Sequence, residues 1–372
     1  MAKIKLGIIG IGNIGAAHVK TVTGGHVPDI ELAAVADCLV ERRTWAFEFL
    51  GSDFPVFESG EELIKKSTAD AVLVVVPHYL HPEISIMALK AGLHVLCEKP
   101  AGVYTKQVRL MNEAAAGSSK VFAMMFNQRT NIYYKKMKEL VSEGGFGGLI
   151  RASWIITNWF RTQAYYSSGG WRGTWDGEGG GVLLNQCPHQ LDLFQWICGL
   201  PVRVRAFCHN GKFHDIEVED DVTSYFEYPN GATGTFITST GEAPGTNRFE
   251  ISLEKGKMVN EGGNDLTLYR LETSLRDFCK TSQEKFASPA CVVEKPEFEK
   301  PENSGGEHAA VMRSFAGRIL RGEPLTAEGR EGISALTLSN AMHLSSWLDK
   351  TIEIPFDEDL FLDELNKRRR KI

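Results

Sequence analysis

Gly7-Ile8-Ile9-Gly10-Ile11-Gly12-Asn13-Ile14-Gly15 carries G-x-G-x-x-G at positions 10, 12 and 15. The motif ends one apolar run, Ile4–Ile9, and opens a helical pattern, the context that gives such glycines meaning. Gly10 permits a tight turn, Gly12 lets backbone approach a pyrophosphate, and Gly15 lets the helix pack close to the sheet. The helix N-terminus, with Asn13 and Ile14 in it, then offers N–H groups and a positive dipole end to phosphates. Asp37 closes the next apolar run, 22 residues after Gly15. A carboxylate there accepts the adenosine ribose hydroxyls and repels a 2′-phosphate, so NAD is favoured over NADP. Arg42-Arg43 stand against that preference, because either offers a phosphate a cation. The plainer alternative is a glycine turn with Asp37 capping a helix, and it explains fewer of these features at once.

The same grammar continues outward. Ile4–Ile9, Leu32–Ala36, Ala71–Val76, His94–Leu96 and Val121–Met125 are nearly continuous apolar runs, as parallel strands buried on both faces are. Helical patterns alternate with them at Ile14–Val22, Val40–Leu50, Glu61–Lys66, Glu83–Ala91 (with Gly92 at its end) and Lys106–Ala115. Strand–helix alternation predicts an α/β fold with a doubly wound parallel Rossmann sheet over residues 1–127. Residues 128–372 change character. A helix over Ile132–Ser142 precedes strand patterns at Ile150–Thr157, Val202–Cys208, Val222–Tyr228, Ala232–Thr238, Arg248–Leu253 and Leu266–Tyr269. Tight-turn signals at Pro229–Gly231 and Glu254–Gly256 predict a large, mainly antiparallel open sheet in an α+β domain. Phe278–Gly306 reads as a long loop. Two helices follow, over Glu307–Arg321 and Glu328–Asp349, with room to pack back on the Rossmann domain.

Composition narrows the class. With 41 Lys+Arg against 47 Asp+Glu the net charge is −6, which disfavours a nucleic-acid binder with a broad basic face. The basic run Lys367–Lys371 reads as a solvated helix end after acidic Asp357–Glu364. No apolar run approaches the roughly 20 residues of a membrane span. Met-Ala-Lys-Ile-Lys leads straight into a strand pattern, so no signal peptide is expected. The seven cysteines are scattered without a C-x-x-C pair, which predicts neither a zinc site nor a disulfide framework. A cytoplasmic protein with reduced thiols and no metal is the expectation.

Glu98-Lys99-Pro100 follows the apolar run ending at Cys97, and so falls at the C-terminal edge of a strand, where open α/β sheets bind ligands. A lysine there suits a proton donor or polarising cation at a reacting oxygen, although a surface Lys–Glu pair is the commoner use of such residues. Together with Gly10–Gly15, Val76-Pro77 and His81, and Gly179-Gly180-Gly181-Val182 running to His189 and Asp192-Leu193, this pattern resembles the Gfo/Idh/MocA family of NAD(P)-dependent oxidoreductases. Glu307-His308 and Ala327-Glu328-Gly329-Arg330 fit the same resemblance.

The resemblance implies that Lys99 lies between nicotinamide and substrate and that His189 is the catalytic histidine. Asn185 stands where most family dehydrogenases carry an aspartate; an amide can hydrogen-bond but cannot exchange a proton in its place. Pro188 predicts the first turn of the helix bearing His189, with Asn185 on the loop ahead of it. Pro77, His81, Glu98 and Asn127 are expected on the cofactor side, and Trp171-Arg172 resembles an element reaching the cofactor. Four of the seven tryptophans fall between 154 and 175, in a stretch that reads mostly as loop. Aromatic faces suit the C–H faces of a sugar ring, so Trp159, Tyr165 and Tyr166 are expected on the substrate; an oligomer interface or domain core is the competing use.

The activity implied is NAD-dependent hydride transfer between nicotinamide and a secondary hydroxyl of a sugar, inositol or glycoside. Asn185 keeps a second reaction open, in which transient oxidation enables glycoside cleavage with no net cofactor turnover. A non-catalytic NAD-binding sensor is a third reading, disfavoured by Lys99 and His189 both being present. An open antiparallel sheet with an apolar face invites a second copy, predicting a homodimer or homotetramer.

Overall fold

A computed structural model describes residues 3–298 and 305–369. The chain divides into two compact units, Met1–Thr130 with Pro301–Leu336 and Asn131–Lys300 with Thr337–Ile372. Residues 370–371 of the basic run lie outside the described residues.

Among the described residues the first unit holds six strands: β1 (Ile4–Ile9), β2 (Ile30–Ala36), β3 (Val56–Phe57), β4 (Ala71–Val74), β5 (His94–Cys97) and β6 (Phe122–Met124). All pairings are parallel, in the order β3-β2-β1-β4-β5-β6. The helices Asn13–Thr23, Val40–Leu50, Gly60–Lys66, Leu80–Lys90 and Thr105–Ala116 join successive strands. Every residue of β4 is buried, which is why its run lacks polar alternation. Two-residue β3 is too short to show a period and escapes the sequence reading. Gly92 has φ +82° and its N–H donates to Leu89 O at 3.0 Å, ending its helix as expected. The helix Gly306–Arg321 belongs to this unit too. Its Ala309, Val311, Met312, Phe315 and Ala316 join Leu6, Ile8, Leu73 and Leu96 in one core. Spacings of three and four put those residues on one helix face.

The second unit holds β7 (Leu149–Ile156), β8 (Arg203–Asn210), β9 (Glu219–Glu227), β10 (Thr233–Ser239), β11 (Asn247–Leu253), β12 (Gly256–Glu261), β13 (Asp265–Leu271), β14 (Cys291–Glu294) and β15 (Ile352–Glu353). They form one sheet in the order β14-β13-β12-β11-β7-β10-β9-β8-β15. It is not a simple meander, because β7 sits in the middle and pairs parallel with β10 while pairing antiparallel with β11. The segment read as one loop from Phe278 contains the end of the helix Leu275–Thr281 and strand β14. All four residues of β14 are exposed, so no hydrophobic period marks it.

Alternation sorts the two sheet faces. Trp154 of β7 is fully buried, stacks on Phe249 at 4.2 Å and donates its indole N–H to Asn247 Oδ1 at 3.0 Å. Phe236 and Phe194 meet the same cluster, and Tyr134 of the helix Ile132–Ser142 covers it. On the opposite face Ile155, Phe207 and Tyr225 are exposed. The aromatic stretch 154–175 is therefore only partly loop-borne. Trp154 is sheet core, and Trp175 is buried against His343 and Trp347. Truncating Trp154 to alanine should cost about 3–5 kcal/mol in urea unfolding, as for a large core aromatic. Phe286→Ala should leave the midpoint unchanged, since that side chain is 99% exposed.

Candidate active site

The glycine turn is built by close approach. Gly10 has φ +90°, and a Cβ there would meet Val75 O at 2.2 Å. Gly15 lies against Gly10, where a Cβ would meet the Gly10 carbonyl oxygen at 2.0 Å. Around Gly12 nothing lies within 4 Å of where a Cβ would stand, and Gly12 is the N-cap of the helix Asn13–Thr23. Two glycines thus close the turn and the third keeps open space beside a helix N-terminus, the form a pyrophosphate requires. Asn13 and Ile14 are exposed there.

Asp37 braces this turn. Its Oδ2 accepts from Ile11 N at 2.8 Å and its Oδ1 from Leu39 N at 2.9 Å. Arg43 is committed to local backbone, donating to Asp37 O and Cys38 O at 2.9 Å each. That removes one of the two cations that opposed NAD in the sequence.

At the end of β5, Glu98 is buried with its carboxylate shared. Its Oε1 takes His18 Nε2 at 2.7 Å and its Oε2 accepts Lys99 N at 3.1 Å. Burial alone would raise this carboxyl, but the His18 hydrogen bond and charge, with Lys99, hold it at about 2. His308 sets its ring edge-on to His18 at 5.2 Å. Behind Lys99, Pro100 O lies 2.6 Å from His81 Nδ1. A carbonyl only accepts, so Nδ1 carries the hydrogen. Burial lowers the His81 pKa, keeping the ring neutral. Glu98 and His81, expected to line the cofactor, are buried supports of the segment that presents half-buried Lys99. Exposed Pro77 precedes that histidine. Asn127 is buried and its Nδ2 donates to Glu307 Oε2 at 2.8 Å.

The second unit assembles its own cluster. Pro188 begins the helix Pro188–Cys198, and His189 follows in its first turn, half-buried. Asn185 is not on a loop: Val182–Gln186 forms a π-helical turn. Buried Glu219 holds that turn, its Oε1 accepting Gly181 N at 2.9 Å and Leu183 N at 3.0 Å. Burial opposes the Glu219 charge, but His343, 3.0 Å from its Oε2, and the Gly181 N–H keep its pKa below the usual value.

Tyr165 is the hub. Its hydroxyl accepts from Arg172 Nη1 at 2.7 Å, Gln186 Nε2 at 3.3 Å and Asn185 Nδ2 at 3.4 Å. The Arg172 guanidinium lies 4.6 Å from the Tyr165 ring centre and 4.5 Å from that of Trp171. Arg161 lies over both Trp159 and Tyr165. Tyr166, expected at the substrate, is instead buried, with its hydroxyl 2.9 Å from Thr240 Oγ1 and its ring backing Tyr165.

The sequence reading missed Glu178. This buried carboxyl accepts Gly173 N at 2.7 Å and the Asn185 amide, and Arg172 Nη1 stands 3.9 Å away. Burial pushes it up to about 7, against those hydrogen bonds. An acidic residue directly before Gly179-Gly180-Gly181, three residues after the aromatic stretch ends, was the available signal. Among the described residues no group of three or more His, Cys, Asp or Glu side chains is placed to hold a metal ion. No described helix is long and apolar enough to cross a membrane.

Comparison with known proteins agrees across both units. Residues 4–126 match the model of an oxidoreductase family with an NAD-binding Rossmann fold, and residues 134–259 match the GFO/IDH/MocA C-terminal domain. The chain is 25% identical to myo-inositol 2-dehydrogenase of Thermotoga maritima over 91% of its length and 95% of that relative. It is 27% identical to D-glucoside 3-dehydrogenase of Escherichia coli, over 61% of this chain and 68% of the relative. Among solved structures, the WlbA dehydrogenase of Chromobacterium violaceum, in complex with NADH and UDP-GlcNAcA, superposes with TM-score 0.80 at 27% identity, covering 96% of this chain and 97% of that one.

The glycine geometry separates two effects. Gly10→Ala should lower the thermal midpoint and abolish NADH binding, because its Cβ collides with backbone. Gly12→Ala should fold with the wild-type midpoint and still lose at least tenfold in NADH affinity. Thermal unfolding beside NADH fluorescence titration reads both.

Proposed function

The chain belongs to the GFO/IDH/MocA family of NAD-binding oxidoreductases, and from that premise we propose that it oxidises a secondary hydroxyl of a sugar, inositol or glycoside, or reduces the matching ketone. The observation that carries this reading is a phosphate-accommodating glycine turn in one unit and, in the other, a cluster of amide, guanidinium and phenol groups gathered on the turn that leads into the helix of His189. That cluster suits a polyhydroxylated substrate, since hydroxyls need several donors and acceptors at once. The inositol and glucoside dehydrogenases among its relatives support the same substrate class.

The first unit is assigned to the dinucleotide, with Gly10, Gly12, Asn13, Ile14, Gly15 and Asp37 holding its phosphates and adenosine ribose. Nicotinamide, when bound, supplies the acceptor for a carbon-bound hydrogen and its electron pair. Lys99 donates a hydrogen bond to the oxygen as alkoxide character develops, which stabilises charge that exists only in the transition state. Buried Glu98 and His81 fix the backbone on either side of Lys99, so its ammonium is positioned without further ordering. In the second unit His189 takes the hydroxyl proton as general base and returns it in reduction. Trp159, Tyr165 and Asn185 are assigned to the substrate, Tyr166 to supporting Tyr165. Arg172 is held by Tyr165 and Glu178, so its part is to order this cluster.

Lys99→Ala and His189→Ala should each lower kcat by about 10²-fold or more, the scale of a lost acid–base or charge-stabilising group. NADH affinity should stay within a few-fold of wild type. The screening assay follows nicotinamide absorbance and product mass together over inositols, free sugars and glycosides. NADH with a keto product supports the dehydrogenase reading; cleaved glycoside without NADH replaces it with redox-assisted cleavage.

The exposed Ile155, Phe207 and Tyr225 on one sheet face support a homodimer or homotetramer. Light scattering at micromolar concentration should give at least twice the monomer mass; a monomer overturns this. The seven unbridged cysteines suit a cytoplasmic setting.

A further inference from the structure

Asn185 faces two oxygen atoms through the same nitrogen: its Nδ2 donates to Glu178 Oε1 and, at 3.4 Å, to the Tyr165 hydroxyl. Which way a carboxamide points is decided by its neighbours, and an ionised carboxylate only accepts. The nitrogen must therefore turn toward Glu178, and the carbonyl oxygen away from it. Glu178 cannot swing to relieve this arrangement. Its second oxygen is occupied by Gly173 N at 2.7 Å, a fixed backbone donor, and the side chain is buried.

We infer that Glu178 is a positioning residue for the reaction proposed above, its two oxygens clamped on Gly173 N–H and Asn185 Nδ2 so that the Asn185 carbonyl oxygen is the face turned to a substrate hydroxyl. This rests on the assignment of Asn185 to the substrate. The clamp fixes the site's preference: the hydroxyl at this position acts as donor to Oδ1.

The clamp is sensitive to protonation. The charged and titratable groups facing Glu178 include Arg172, at 3.9 Å and on its own loop, Glu219 of β9, and Tyr166 of the short helix Gln163–Tyr166; His343 is paired with Glu219. Burial is the largest influence and puts the carboxyl's titration at about 7. Below that pH the group carries a hydrogen and has one acceptor fewer. Gly173 N–H and Asn185 Nδ2 then compete for it, and the mobile amide loses.

Three variants test the clamp. In Glu178→Gln one amide oxygen must serve both donors, so KM for the fastest substrate of the panel should rise at least tenfold, with kcat changed less. The rise in KM as wild type is taken from pH 8 to pH 6 should vanish in Glu178→Gln. Asn185→Asp sets two carboxyls together and should lose at least a hundredfold in kcat/KM. Combining Glu178→Gln with Asn185→Asp reverses the pair. The glutamine oxygen then sits on Gly173 N–H, its nitrogen on the introduced carboxylate, and the other oxygen of that carboxylate again faces substrate. At least tenfold of the loss should return. No rescue, or an unchanged KM and pH profile in Glu178→Gln, overturns the proposal.

A readout without turnover separates this from the assigned activity. A carboxyl whose pKa is raised in the folded state holds protons that the unfolded chain releases, so it lowers stability as pH rises from its unfolded value through about 7. Urea midpoints of wild type should therefore fall relative to Glu178→Gln between pH 5 and pH 8. A parallel pH dependence in the two proteins refutes the pH sensitivity of the clamp whatever the substrate. A diverging one, with no sugar or polyol turned over, leaves that sensitivity standing and refutes the substrate class instead.

Discussion

A carboxylate withdrawn from water must be met by hydrogen-bond donors, and in this protein the donors include backbone N–H groups beside Lys99, in the turn ahead of His189 and in the glycine-rich loop before it. Glu98 spends one oxygen on the Lys99 N–H and one on His18. Glu219 holds Gly181 and Leu183 with a single oxygen. Glu178 divides its oxygens between Gly173 and Asn185; half-buried Asp37 braces Ile11 in the glycine turn in the same way. Removing one partner from a buried ion pair costs about 3–5 kcal/mol, and Glu98 with His18 and Glu219 with His343 are such pairs. Irregular backbone has spare N–H groups that helices and sheets do not, so a buried acid and an irregular loop satisfy each other.

The three buried glutamates differ in charge state for a physical reason. Glu98 and Glu219 each face a histidine, and the gain from that partner overcomes desolvation. Glu178 has Arg172 only at 3.9 Å and Glu219 as an acidic neighbour, so desolvation wins. One kind of side chain thus supplies two fixed anchors and one group that titrates near neutrality.

Strand and helix positions in the first unit were legible because parallel strands covered on both faces leave unbroken apolar runs. The helix Val40–Leu50 and strand Ile4–Ile9 have the bounds their sequence predicts. The glycine turn was legible because each glycine answers a separate steric demand. The second unit was harder. Nothing local announces that β7 takes the centre of the sheet beside β10, or that exposed β14 is a strand at all. Tyr166 and Trp175 read as loop aromatics and became buried supports, because burial of an aromatic depends on what folds over it.

The sequence by itself determined the dinucleotide turn, the alternation of strands and helices, the lysine at the end of β5 and the histidine after Pro188. These follow from short-range rules: glycine sterics, apolar period and proline at a helix start. Only the tertiary structure decided which of the expected residues are buried supports, and it brought Glu178 onto Asn185. Charge state and partner depend on burial and on atoms distant in sequence, and both are set only when the chain has packed.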